Sequence, residues 1–204
     1  EVIEASLIIS IFLAFSQQFG LSRHWLVWAL VIGISTATLY AANISVVSQW
    51  FDGVGQEVLN AGIHIGVYIN LLLFIAISMY IKKRQFQRIL FLLMVFGVTF
   101  ASIREGSEII LYIAGFSTIA DLFQAVLLGS AIGAGIGLSV GVLFYYFLVN
   151  LPIDKSIKVG FILCLLVASG MMLQATQLLI QADWIISQYP LWDTSMWIDE
   201  RSLM

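Results

Sequence analysis

Two pairs of glutamates, Glu1 with Glu4 and Glu105 with Glu108, stand three residues apart inside stretches that are otherwise apolar. At helical spacing i, i+3 each pair falls on one face, so each offers two hard oxygen ligands pointing the same way. A charged side chain at mid-bilayer costs at least about 2.5 to 3.5 kcal/mol, and intramembrane carboxylates therefore tend to mark an ion or proton path. Four carboxylates drawn from two helices would make an all-oxygen site. That donor set suits ferric iron, manganese, magnesium or calcium and suits copper(I) badly. Arg104 and Glu108, at i, i+4, can neutralise each other as a plain ion pair. Four glutamates against this single arginine cannot all be explained that way.

The elements that would carry these residues follow from composition. Sixty-one per cent of the 204 residues are hydrophobic and ten per cent charged, against roughly one-quarter charged in a soluble domain. The apolar runs approach or exceed the roughly 20 residues that span a bilayer as a helix, and none alternates with the period of two of a barrel strand. The expected fold class is all-α, a polytopic transmembrane helical bundle. Lipid is its expected surrounding, and no nucleic-acid partner is expected. Cys164, the one cysteine, lies in an apolar run and is read as packing.

Six spans fit the punctuation, at about 1–17, 25–47, 58–81, 89–116, 121–149 and 156–182. Seven of the nine basic residues (Arg23, Lys82, Lys83, Arg84, Arg88, Lys155 and Lys158) fall in alternate linkers, and Asp52, Glu57 and Asp121 in the others. The positive-inside rule makes the basic linkers cytoplasmic, in a bacterial inner membrane or a plasma membrane. One transmembrane domain is expected over 1–182, with an extracytoplasmic segment at 183–204 carrying Trp184, Trp192 and Trp197. Helices one to three and four to six run in opposite senses with the same acidic motif on the first helix of each, the pattern of an inverted 3+3 repeat with halves at about 1–81 and 89–182. The first span opens directly on a carboxylate, so the sequence is expected to begin mid-helix, with roughly ten residues of that helix before Glu1 by comparison with the fourth span at about 1.5 Å per residue.

Arg104-Glu105-Gly106-Ser107-Glu108 resembles the R-E-G-x-E motif of the oxidase-dependent iron permeases, the FTR-type permeases of yeast and their bacterial EfeU-like relatives. Glu1-Val2-Ile3-Glu4 resembles the same motif in that family's first helix, with an arginine expected before Glu1. The likeness covers the order and spacing of all six helices. It extends to Leu191-Trp192-Asp193-Thr194-Ser195 and Ser202-Leu203-Met204, which are similar to the segment leading into the family's seventh helix. Val2 stands where the motif has glycine, and Asn60 where some relatives have a glutamate. The resemblance implies a permease rather than an enzyme, moving iron, with ferric iron favoured, inward as substrate and needing no cofactor. It implies Glu1, Glu4, Glu105 and Glu108 as metal ligands, Arg104 as charge balance, and an oxidase, a peroxidase or a periplasmic iron-delivery protein as partner.

Other polar residues extend the picture. Glu57, Asn60, His64 and Tyr68 recur at helical spacing and could form a path that hands a metal inward. Gln174, Gln177 and Gln181 form a second stripe, read as interhelical hydrogen bonding. Met171 and Met172 are read as packing. Gly129, Gly133, Gly137 and Gly141 recur every fourth residue and admit another backbone closely. Asp193, Asp199 and Glu200 could recruit cations outside. Two rival functions remain open: a proton-coupled exchanger of manganese, calcium or magnesium using the same glutamates, and a membrane anchor in which the acids are structural ion pairs. No nucleophile-and-base constellation, phosphate loop or haem-ligand pattern is present in the sequence. Oligomeric state is not legible.

Overall fold

The computed structural model describes residues 2–79 and 84–186. Glu1, Lys82, Lys83, Trp192, Asp193, Trp197, Asp199 and Glu200 lie outside the described residues, as does nearly all of the 183–204 segment. Among the described residues seven α-helices follow one another: α1 (Val2–Gln18), α2 (His24–Ala42), α3 (Ile44–Ser48), α4 (Gly55–Ser78), α5 (Arg84–Phe116), α6 (Ala120–Asn150) and α7 (Ile153–Gln181). Among the described residues there is no strand. The architecture is the all-helical bundle expected. Five helices, α2 and α4 to α7, are long and apolar enough to cross a membrane; α1 is as apolar but has 17 described residues.

The ends of the helices follow from local chemistry. α1 stops at a Schellman turn: Gly20 takes φ +64°, its N–H donates to the Gln17 carbonyl at 3.2 Å, and the Leu21 N–H donates to Ser16 at 2.8 Å. Glycine adopts that left-handed conformation without a side-chain clash. α6 and α7 are separated by Leu151 and Pro152 alone, the leucine extended as a residue before proline prefers to be. The second span was expected to run unbroken over 25–47. It is interrupted at Asn43, whose side-chain amide donates to the Leu39 carbonyl at 2.8 Å and competes with the helical ladder there. α4 begins three residues earlier than expected and α5 five residues earlier, so Arg84 and Arg88 belong to a helix start rather than to a linker.

The helices pair across the two halves of the chain. α1 lies along α6, α2 along α5, and α4 along α7, with α5 also against α4 and α1 touching α5 and α7. Both first pairings are parallel and built on small residues. On α2, Ala29, Gly33, Ala37 and Ala41 are buried at every fourth position; a Cβ on Gly33 would sit 2.6 Å from that of Ser102, and Ala37 faces Gly106. On α6, a Cβ on Gly137 would meet Val2 at 2.7 Å and one on Gly141 would meet Ser6 at 2.9 Å. Gly129 and Gly133 face nothing within 4 Å among the described residues, so only half of the expected glycine groove is used by them.

One end of the bundle carries Arg23, Arg88, Lys155 and Lys158 and is tied by hydrogen bonds among helix ends and the turn at Arg23. Arg23 donates to Gln17 at 3.0 Å and to the Tyr145 hydroxyl at 3.3 Å, and Gln18 binds Ser156. Above it sits an aromatic plug. Phe12 and Phe15 of α1 flank Phe74 of α4, with ring centroids 4.6 and 5.3 Å away, and Phe161 of α7 stacks on Phe15 at 5.5 Å. Phe12 reaches α5 where Gly97 leaves room, since a Cβ there would lie 2.7 Å from its ring; Gly160 on α7 makes the same room for Phe15. Trp25 closes the cluster, fully buried, with its indole N–H donating to Ser16 at 3.1 Å. No hydrophobic effect drives helices together in lipid, so such interlocking contacts and hydrogen bonds must do so.

Candidate functional site

The second acidic motif sits two-thirds of the way along α5, where the helix is sandwiched between α2 and α4. Gly106 is what lets α2 come close: even a methyl group there would approach the Ala37 side chain to 3.2 Å. With α2 that near, Glu105 is 3% exposed and Ser107 1%. Arg104 lies between the two acids of its own helix, one guanidinium nitrogen reaching Glu105 at 3.0 Å and Glu108 at 2.9 Å. Ser107 turns its hydroxyl back to the Arg104 carbonyl at 2.8 Å. The expected i, i+4 pair is therefore present, and Glu105 shares it. Glu108 is the more open of the two acids, its side chain 31% exposed. It borders a cleft of about 570 Å³ lined also by Val2, Ile3, Tyr112, Gly133 and Ile136.

The first motif is held differently. Glu4 lies in the first turn of α1, the helix that touches α5, α6 and α7. One of its oxygens accepts a hydrogen bond from the Gln174 amide of α7 at 3.1 Å. Its other oxygen, Oε2, is buried and has no hydrogen-bond partner among the described residues. A buried carboxylate oxygen in that condition is costly unless something else binds it.

The α4 stripe comes inward as a group. Asn60 and His64 are buried, 6% and 1% exposed. His64 is engaged at both ring nitrogens, Nδ1 to the Asn60 carbonyl at 2.8 Å and Nε2 to Gln174 at 2.6 Å. The Asn60 side chain accepts from the Tyr40 hydroxyl at 3.2 Å. Tyr40 thereby ties α2 to the α4 stripe. Glu57 keeps one buried oxygen without a hydrogen-bond partner among the described residues. Met171 is buried in the core and Met172 faces outward, and Cys164 is buried.

Tyr40 and the contact between Gln174 and Glu4 are absent from the sequence-based site. A tyrosine in an apolar helix gives no signal of its own, and 170 positions separate the glutamine from the glutamate. Among the described residues no three His, Cys, Asp or Glu side chains stand close enough to hold a metal ion together. Glu1, the fourth glutamate of the expected set, is outside them.

No curated protein and no solved structure matches the chain. The profile of the iron permease FTR1 family matches residues 81–204, a span that holds the whole Arg104-Glu105-Gly106-Ser107-Glu108 motif. With more than half of its length matched, and with five apolar helices of membrane-spanning length, the chain is an integral membrane protein that belongs to the iron permease FTR1 family.

Proposed function

We propose that the protein carries iron, with ferric iron favoured, from the extracytoplasmic side to the cytoplasm through a site formed by Glu1, Glu4, Glu105 and Glu108. The observation that carries this is the buried Oε2 of Glu4, without a hydrogen-bond partner among the described residues, on a helix that packs against the one bearing Glu105 and Glu108. Hard anionic oxygens from two helices provide the donors a ferric ion prefers. Arg104 limits the charge of the empty site and keeps its acids in place. Glu57, Asn60 and His64 line the approach from the outer end, and Asp193, Asp199 and Glu200 gather cations ahead of it. On this reading the end bearing Arg23, Arg88, Lys155 and Lys158 faces the cytoplasm, and an oxidase, a peroxidase or an iron-delivery protein supplies the ion outside.

The helix pairing supports an inverted repeat. If α1, α2 and α4 correspond to α5, α6 and α7, then α1 on α6 and α5 on α2 are the same contact made twice, and α4 on α7 is that contact's companion across the pseudo-two-fold axis. The every-fourth small residues of α2 and α6 fit the same correspondence. Transporters of this design bind substrate where the halves meet and expose it alternately by moving one against the other. The aromatic plug of Phe12, Phe15 and Phe74 lies on the cytoplasmic side of the glutamates, about 12 to 17 Å along α1 at about 1.5 Å per residue. It is the barrier that must part for release.

Iron uptake into proteoliposomes tests the reading. Glu4→Gln and the pair Glu105→Gln with Glu108→Gln are expected to remove uptake while the protein still inserts and folds. Intact uptake in these variants would sink it. The same donors suit manganese, calcium or magnesium exchanged for protons, and competition separates that alternative: iron uptake that persists in excess calcium supports a permease selective for iron.

A further inference from the structure

Glu4, Gln174 and His64 come from α1, α7 and α4 and form one buried chain of hydrogen bonds. Its anchor is the Asn60 carbonyl, which can only accept. His64 Nδ1, 2.8 Å from that oxygen, therefore carries a hydrogen, and the bond fixes the plane of the ring. Nε2 lies 2.6 Å from the side-chain oxygen of Gln174, which can only accept, so this nitrogen donates as well. Gln174 is a flexible side chain that would otherwise sample several rotamers. With one end of its amide held by a ring that is 1% exposed, it presents the other end to a single oxygen of Glu4.

The donor is neutral. Arg104 puts a cation directly on its neighbours, whereas the amide orients Glu4 without placing a charge at its oxygens. One oxygen of Glu4 is occupied and the other, Oε2, is left facing no partner among the described residues. We propose that Gln174 is the positioning residue for Glu4, itself set in place by His64, so that α4 and α7 jointly aim the unpartnered oxygen of the first acidic motif at the iron ion. The proposal rests on the reading of Glu4 as an iron ligand. It assigns His64 a role through Gln174 instead of direct contact with the metal.

A double-mutant cycle on iron uptake by the full chain in proteoliposomes separates positioning from plain packing. Gln174→Met keeps the length and shape of the side chain and removes its hydrogen bonds. It is expected to raise the KM for iron at least tenfold with the thermal unfolding midpoint almost unmoved. His64→Phe should raise the KM by a similar factor, and the double variant should be no worse than Gln174→Met alone, because His64 acts through the glutamine. Where His64→Phe does not insert, His64→Asn completes the cycle. A KM unchanged in Gln174→Met, effects that multiply in the double variant, or a lowered unfolding midpoint with normal KM would each overturn the positioning role. Glu4→Gln distinguishes the two levels. Loss of uptake there beside normal Gln174→Met kinetics removes only the relay, whereas uptake that survives Glu4→Gln removes the glutamate site and the relay with it.

Discussion

The two acidic motifs share a spacing and differ in how the fold holds them. On α5, Arg104 sits one residue before Glu105 and four before Glu108, so neutralisation is built into a single turn of helix and exists as soon as that helix does. On α1, Glu4 is held by a neutral amide from another helix, and that amide by a histidine from a third. One motif is an ionic unit contained in a single helix, one cation between two carboxylates; the other is an assembled one, whose geometry depends on tertiary packing. In the proposed site, an ion-paired half fixed within one helix would face a half whose geometry is set by α4 and α7.

Removing the charge partner should have the largest effect. Arg104→Leu leaves two carboxylates uncompensated beside each other and is expected to lower stability by about 3 to 5 kcal/mol, read from denaturant titration in micelles. The assembled motif should be less sensitive. Glu4→Leu removes an acceptor from a neutral amide and should cost about 1 to 3 kcal/mol. Equal losses in the two variants would break the distinction between them. The seams beneath the motifs provide a sharper measure of how alike the halves are. Gly33→Ala on α2 and Gly137→Ala on α6 each push a methyl group into the facing helix, and each is expected to cost about 1 to 3 kcal/mol by overpacking. A response from one seam alone would count against a shared architecture. Ser107→Ala should be the mildest change: its hydroxyl serves only the carbonyl three residues back, and its loss should shift stability by about 0.5 to 1 kcal/mol while leaving iron uptake in place.

What could be seen in advance divides along the same line. The all-helical, membrane-spanning character and the pairing of Arg104 with Glu108 are local properties of a sequence, written in runs of hydropathy and in i, i+4 spacing. The interruption at Asn43 is also local, yet hydropathy passes over it because one asparagine hardly changes the mean of an apolar run. Gln174, 110 positions from His64 and 170 from Glu4, carries nothing in its own neighbourhood to distinguish it from Gln177. The seam on α2 was missed for a subtler reason. Gly129 to Gly141 is conspicuous because all four residues are glycine, while Ala29, Gly33, Ala37 and Ala41 do the same work with residues that are common in any membrane helix. The aromatic plug likewise becomes legible only when Gly97 and Gly160 are seen to sit opposite Phe12 and Phe15.

The pairing of α1 with α6 has a consequence for biogenesis. Ser10 of α1 donates to the Gly141 carbonyl across 131 positions of chain, and at a synthesis rate of about 5 to 20 residues per second that partner emerges on the order of ten seconds later. During this interval α1 must wait in or beside the translocon with Glu4 unattended, and its amide partner on α7 is made later still. Slowing elongation between α1 and α6 should therefore lower the yield of folded protein more than slowing it after α7.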